Sequence, residues 1–254
     1  MTPLDIAAFA FACIAGAVVQ STSSFGFAPV AIGLLGVFGV AIRDAVVLVT
    51  VLVVPNIAVA LWRVRHEVRL GRVVWLLAGV PLGTPLGIYL LAFGPEWLLR
   101  ALLGAVLIGA ALEPFLRGGD GSPRPEHRLA AFVAGVASGA LGAALSTGGP
   151  PIVLYFHRQH LGKEAMKAAV TLAFVGTVLW RLGVYVAQAP VTGQPLLTAE
   201  LALRGLAFWP AVAAGSLAGE RLFARLSPAA FRRVVAAMLV LCGAYQVGKA
   251  AGAW

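Results

Sequence analysis

Charge-free apolar runs at 45–62, 73–93 and 129–145, with nearly clean ones at 97–116, 165–187, 201–223 and 230–250, set the rhythm of this chain. Each approaches the ~20 residues that cross about 30 Å of hydrocarbon. The runs are continuously apolar, where barrel strands would alternate in units of ~10 residues, so they predict spanning helices. Two polar interruptions differ from ordinary loops. "QSTSSFGFAPVAIG" (20–33) and "STGGPP" (146–151) insert hydroxyls, glycine and proline between stretches otherwise suited to lipid. The apolar segments that follow, 28–41 and 151–160, are short; at ~1.5 Å per residue the second reaches about 15 Å, half the hydrocarbon thickness. The pattern predicts two broken or re-entrant hairpins, one entering from outside over 4–41 and one from inside over 129–160. Their tips are Ser21-Thr22-Ser23-Ser24-Phe25-Gly26 and Ser146-Thr147-Gly148-Gly149. If both arms of each hairpin span instead, every loop keeps its side.

Composition makes the membrane assignment firm. The 254 residues are 60% hydrophobic and 11% charged, with a mean hydropathy of +0.92, which excludes a soluble domain with a watered surface. The fold class expected is an all-α polytopic membrane protein. A net charge of +9 would suit nucleic acid, but the cations sit in short loops at helix ends, so no nucleic-acid partner is expected. "RVRHEVRLGR" (63–72) faces the cytoplasm by the positive-inside rule. Counting crossings from it puts thirteen of the 19 Lys and Arg residues inside and only Arg43, Arg100 and Lys249 outside. Both termini are predicted outside, and the start has no basic region of the kind that precedes a cleavable signal. Cys13 and Cys242 fall inside predicted helices as packed free thiols, with no metal cluster around them.

The Gly-, Pro- and charge-rich stretch 117–128 divides the chain almost in half. Sliding one half over the other pairs Ser24-x-Gly26-x-x-Pro29 with Ser146-x-Gly148-x-x-Pro151 at an offset of 122, and Thr50 with Thr171 at 121. Gly83-Thr84-x-x-Gly87 pairs with Gly215-Ser216-x-x-Gly219, and Arg100 with Arg232, at 132. Residues 1–116 therefore read as a first repeat, 117–128 as a cytoplasmic linker and 129–254 as a second repeat. A hairpin plus three spans is an odd number of crossings, so the repeats are inverted, as in secondary transporters. The two glycine-hydroxyl stripes read as close packing between helices.

The chemistry expected at the tips follows from backbone at membrane depth, which is tolerated only where protein or a wet cavity satisfies it. Each tip runs into a helix with proline in its first turn, Pro29 or Pro150-Pro151, so free N–H groups, a partial positive dipole and hydroxyls converge. That combination suits an oxyanion. The candidate substrate-binding residues are Gln20, Ser21, Thr22, Ser23, Ser24, Phe25 and Gly26 at the first tip, and Ser146, Thr147, Gly148, Gly149 and Pro150 at the second. Asn56, after Pro55 in mid-segment, is added as a pathway residue. Arg181, inside an apolar run, is either an anion counter-charge or a side chain that snorkels to the outer surface.

These residues resemble a family, the TauE/SafE sulfite-exporter type of bacterial membrane proteins. The motif carrying the resemblance is "SGALGAALSTGGPPIVLYF" (138–156), with a weaker copy, "AGAVVQSTSSFGFAPVAIG" (15–33), that has Phe25 and Phe27 where glycine is more usual. The resemblance implies transport of sulfite, thiosulfate, an organosulfonate or a related small organic anion across the bacterial cytoplasmic membrane, with export the direction expected and import left open. A carboxylate carrier is the alternative. No Walker A motif occurs, so no ATP engine, cofactor or catalytic residue is expected. A membrane-embedded hydrolase using Ser146 or Ser24 with His157 or His160 is the remote rival, since no acid orients the base. The partners expected are the small anion and the lipid bilayer; a coupling proton or ion and a homo-oligomer are left open.

Overall fold

The computed structural model describes residues 3–23, 26–116, 127–159, 161–189, 193, 195–225 and 228–252. Among them lie eleven α-helices and no strand: α1 (Pro3–Ser23), α2 (Phe27–Val37), α3 (Ile42–Val64), α4 (Val74–Phe93), α5 (Glu96–Leu116), α6 (Arg128–Leu145), α7 (Gly149–His157), α8 (Lys163–Ala187), α9 (Ala199–Ala207), α10 (Trp209–Arg225) and α11 (Pro228–Ala250). Four stretches are long and apolar enough to cross a membrane, Ile42–Glu67, Val74–Phe93, Arg128–Leu145 and Glu164–Ala187, and a bent pair makes a fifth if taken as one span. The chain is a multi-pass helical membrane protein. Ser24, Phe25, the linker residues 117–126 and His160 lie outside the described residues.

The hairpins are present and lopsided. Their first arms, α1 and α6, have 21 and 18 residues, while the return arms α2 and α7 have only 11 and 9, about 17 and 14 Å of helix. The first tip begins later than its sequence suggests. Ser21, Thr22 and Ser23 form the last turn of α1, and the Ser21 hydroxyl donates back to Ala17 O at 2.9 Å, so these hydroxyl residues extend the helix instead of ending it. A second departure concerns the run 201–223, expected as one segment. It is two helices, α9 and α10, meeting at 41°. Pro210, the second residue of α10, has no N–H with which to carry the ladder back to Leu206 in α9, so the hydrogen-bonded helix is interrupted there.

The chain forms two compact units, and neither coincides with a half of the sequence. The first comprises Met1–Asn56, Phe93–Gly118 and Ala199–Trp254; the second Ile57–Ala92 and Gly119–Thr198. In the first unit α2 folds back on α1, where a Cβ on Gly16 would stand 3.0 Å from Phe27 O. Nearly every side of α2 is buried, which explains why it is apolar all round. α10 lies on α1 along its glycine stripe: a Cβ on Gly215 would approach Ile14 Cα to 2.8 Å and one on Gly219 would approach Val18 Cα to 2.7 Å. Between those glycines, Ser216 donates to Val212 O at 2.8 Å and accepts the Asn56 amide N–H at 2.7 Å. Pro55, inside α3, leaves the Val51 carbonyl without its ladder donor. The indole N–H of Trp209 fills the vacancy at 3.2 Å.

In the second unit the same device recurs between α4 and α6. Cβ atoms on Gly79, Gly83 and Gly87 would run into the backbone carbonyls of Phe132, Val136 and Ala140, and Cβ atoms on Gly135 and Gly139 into those of Leu76 and Val80. Thr84, in the middle of the α4 stripe, donates to Val80 O at 2.8 Å and accepts the Trp180 indole N–H at 3.1 Å. Both stripes are therefore helix-packing seams, as their spacing predicts. Apolar lipid supplies no hydrophobic drive between helices, so close backbone approach carries the association through dispersion.

Candidate functional site

The second hairpin tip is the most unusual backbone of the described residues. α6 ends at Leu145, and Ser146 then takes a left-handed conformation with φ 53°, the only non-glycine residue among those described to do so. A non-glycine residue in that region is uncommon and must be held by its surroundings. Here the Ser146 N–H donates to Gly142 O at 2.8 Å and the Thr147 N–H to Leu141 O at 3.4 Å. α7 begins at Gly149 with Gly148 before it and no side-chain cap. Pro150 and Pro151 are its second and third residues, so the helix start offers the N–H groups of Gly148 and Gly149 and none from the prolines. Gly148 is required for another reason than ligand approach: a Cβ there would stand 2.7 Å from Ser138 O. The Ser138 hydroxyl also donates to Gly148 O at 2.8 Å, tying the tip back to α6.

α8 presents two polar side chains to this tip. Arg181 donates through Nη1 to Gly142 O at 2.8 Å, and Tyr185, one turn on, donates its hydroxyl to Ala143 O at 2.6 Å. The Gly142 carbonyl, which already accepts the Ser146 N–H, thus takes a second hydrogen bond from a cation, and the Ala143 carbonyl in the last turn of α6 takes one from a phenol; a cation is favoured at that end of the dipole. Arg181 is only 6% exposed, which excludes a side chain snorkelling outward. Its Nε is buried with no partner, and so is the Thr147 hydroxyl, on a residue 1% exposed. Among the described residues no carboxylate is hydrogen-bonded to Arg181. A lone buried guanidinium is costly unless a counter-charge reaches it. Arg181 and Thr147 thus bring two buried, unpartnered polar atoms to the same hairpin tip.

The first tip, in the other unit, is arranged differently. Gly26 has φ 122°, accessible only to glycine, and its carbonyl receives the Val30 N–H at 3.2 Å. The buried Gln20 accepts the Phe27 N–H at 3.0 Å, so the first donor of α2 is already occupied by a side chain. Ser21 reaches Ser216 O at 3.1 Å, on the same residue whose hydroxyl receives Asn56. Within the second unit, then, Ser146, Thr147, Gly148, Gly149, Pro150 and Arg181 come together. Within the first, Gln20 and Gly26 shape the tip, while Ser21 and Asn56 meet at Ser216. Ser138, Tyr185 and Ser216 were not singled out by the sequence as parts of these clusters. Tyr185 has one legible signal, its place four residues after Arg181 on the same helix face.

Among the described residues no group of three or more His, Cys, Asp or Glu side chains could hold a metal ion. No solved structure matches the chain. A Cupriavidus necator protein named "Probable sulfite/organosulfonate exporter TauE" is similar to it at 28% identity over 256 residues, covering 94% of this chain and 93% of that protein. The description "Sulfite exporter TauE/SafE" belongs to the family model that matches residues 8–246, and a match of that extent means that this chain belongs to the TauE/SafE sulfite exporter family.

Proposed function

We propose that the chain exports a small sulfur oxyanion, sulfite, thiosulfate or an organosulfonate, across the bacterial cytoplasmic membrane, binding it at the α6–α7 tip. Membership of an exporter family makes it a membrane transporter and not an enzyme. The observation that carries the substrate reading is Arg181, buried and bonded to the α6–α7 tip through Gly142 O with its Nε unpartnered, at the same tip as the unpartnered Thr147 hydroxyl. A negative cell interior favours anion exit by ~2.3 kcal/mol per charge per 100 mV, so outward movement needs no further energy source in principle.

The carrier cycle proposed is alternating access between two inverted repeats, 1–116 and 129–254, joined by the linker 117–128, with both termini outside. Three paired features support it. Each half opens with a long arm followed by a short one. Each glycine stripe, on α4 and on α10, seats against the first arm of the hairpin from the other half. Each stripe carries a back-bonded hydroxyl, Thr84 or Ser216, that accepts an N–H from a side chain on α8 or α3, Trp180 or Asn56. Gln20 and Asn56 serve this cycle by shaping the first tip and its seam.

The test is release of radiolabelled sulfite, thiosulfate or methanesulfonate from proteoliposomes loaded with each. Release faster than from protein-free vesicles, and lost in Thr147→Val, is expected. Release of none of the three above that background would refute the reading, and preference for acetate would assign a carboxylate carrier instead.

A further inference from the structure

Resting on the reading of the α6–α7 tip as the anion site, we infer that the group it takes is a single –SO3 head bearing one negative charge, and that dianions are rejected. Hydrogensulfite and organosulfonates share that chemistry; sulfate, thiosulfate and fully ionised sulfite do not, and the inference removes thiosulfate from the substrates proposed above.

Charge counting carries the argument. Arg181 brings one positive charge into a place where it is 6% exposed. Among the residues whose side chains are described, Arg181 is the only buried Lys or Arg. One anionic charge cancels the guanidinium, whereas a second would remain buried without a partner, the arrangement that desolvation penalises most. Donor counting agrees. The Arg181 Nε and the Thr147 hydroxyl lack partners, while Pro150 and Pro151 withhold two of the N–H groups with which a helix start would hold a more highly charged group.

Calorimetric titration of the purified full-length protein with methanesulfonate, sulfate and sulfite distinguishes the outcomes. Methanesulfonate is expected to bind at least ~10-fold more tightly than sulfate, with little change between mildly acidic and mildly alkaline buffer, because one unpaired buried charge costs several kcal/mol. Sulfite affinity should rise toward acid, following its conversion to hydrogensulfite. Arg181→Gln should weaken methanesulfonate by roughly 100-fold or more, the size expected for stripping one partner from a buried pair. Arg181→Lys should retain part of the affinity and the preference for one charge. If sulfate binds as well as methanesulfonate and both are lost in Arg181→Gln, the charge inference falls while the site stands. If methanesulfonate binding survives in folded Arg181→Gln and in Thr147→Val, or if no anion binds the unaltered protein, the site reading falls with it. Should Arg181→Gln fail to fold, Arg181→Lys and Thr147→Val carry the same comparison.

Discussion

Adding one methyl group to the α4–α6 seam should loosen the second unit measurably. In Gly83→Ala the new Cβ would stand 2.8 Å from Ala140 N and from the Val136 carbonyl carbon, where ordinary contact begins near 3.4 Å, and would press still harder on Val136 O. Both obstacles are backbone, so relief comes only from moving one helix by the better part of an ångström. A radial gap of ~0.5–1 Å forfeits a quarter to a half of each dispersion well, and the glycines above and below share the same approach and lose contact together. Overpacking of this kind costs ~1–3 kcal/mol, against which replacing glycine by alanine in a helix returns up to ~1 kcal/mol. The net expectation is a loss of about 1–2 kcal/mol, or roughly 2–8 °C in Tm for a chain of this size. Gly183 is the internal control, since a Cβ there meets nothing within 4 Å; Gly183→Ala should be neutral or slightly stabilising. Thermal unfolding in one detergent, followed by intrinsic fluorescence, compares the two. Equal melting temperatures for the two variants, or a more stable Gly83→Ala, would refute the account of the stripe as a backbone seam.

Three further outcomes are expected. Trp209→Phe should cost ~1–2 kcal/mol by orphaning the Val51 carbonyl, and Pro55→Ala, which restores the ladder donor, should make that substitution nearly harmless; additive effects in the double-mutant cycle would contradict the role given to Trp209. Gln20→Leu should destabilise by about 1–3 kcal/mol through the uncapped Phe27 N–H, with Gln20→Glu recovering part of it; equal melting of Gln20→Leu and the unaltered protein would show that the cap contributes nothing. Ser146→Gly should leave folding intact or improve it, whereas Ser146→Val should lose ~1–3 kcal/mol, because a β-branched residue resists a φ of 53°; the reverse order in Tm would overturn the left-handed assignment.

How much of this was legible depends on what each residue's role rests upon. The two short return arms could be read from length, because proline and glycine mark their starts and a charged loop marks the end of the second. The glycine stripes could also be read, since small residues at i and i+4 have few uses inside an apolar helix. The direction of Arg181 could not. Linear distance from the end of α8 allowed it to snorkel, and only the rotation of that helix, set by packing, turns it toward Gly142. The left-handed Ser146 had no local signal, because serine does not favour that region and is held there by the surrounding tip. Gln20 was legible as part of the first tip, but its partner, the Phe27 N–H seven residues on, was not, since that contact exists only once α2 has folded back. The bend after α9 was hidden because the sequence around Pro210 stays apolar, so hydropathy alone registers no interruption.

The two prolines at the start of α7 also bear on turnover. For the carrier proposed here, a grip that is too good is a defect, because each cycle ends only when the cargo leaves. A hydrogen bond from a neutral donor to a charged group is worth about 1.5–3 kcal/mol, and a tenfold slower exit corresponds to only ~1.4 kcal/mol. At the site proposed here, withholding two such donors at Pro150 and Pro151 would shorten the residence time of an anion, while the same rings fix the backbone φ and would spare it from being reordered with every departure.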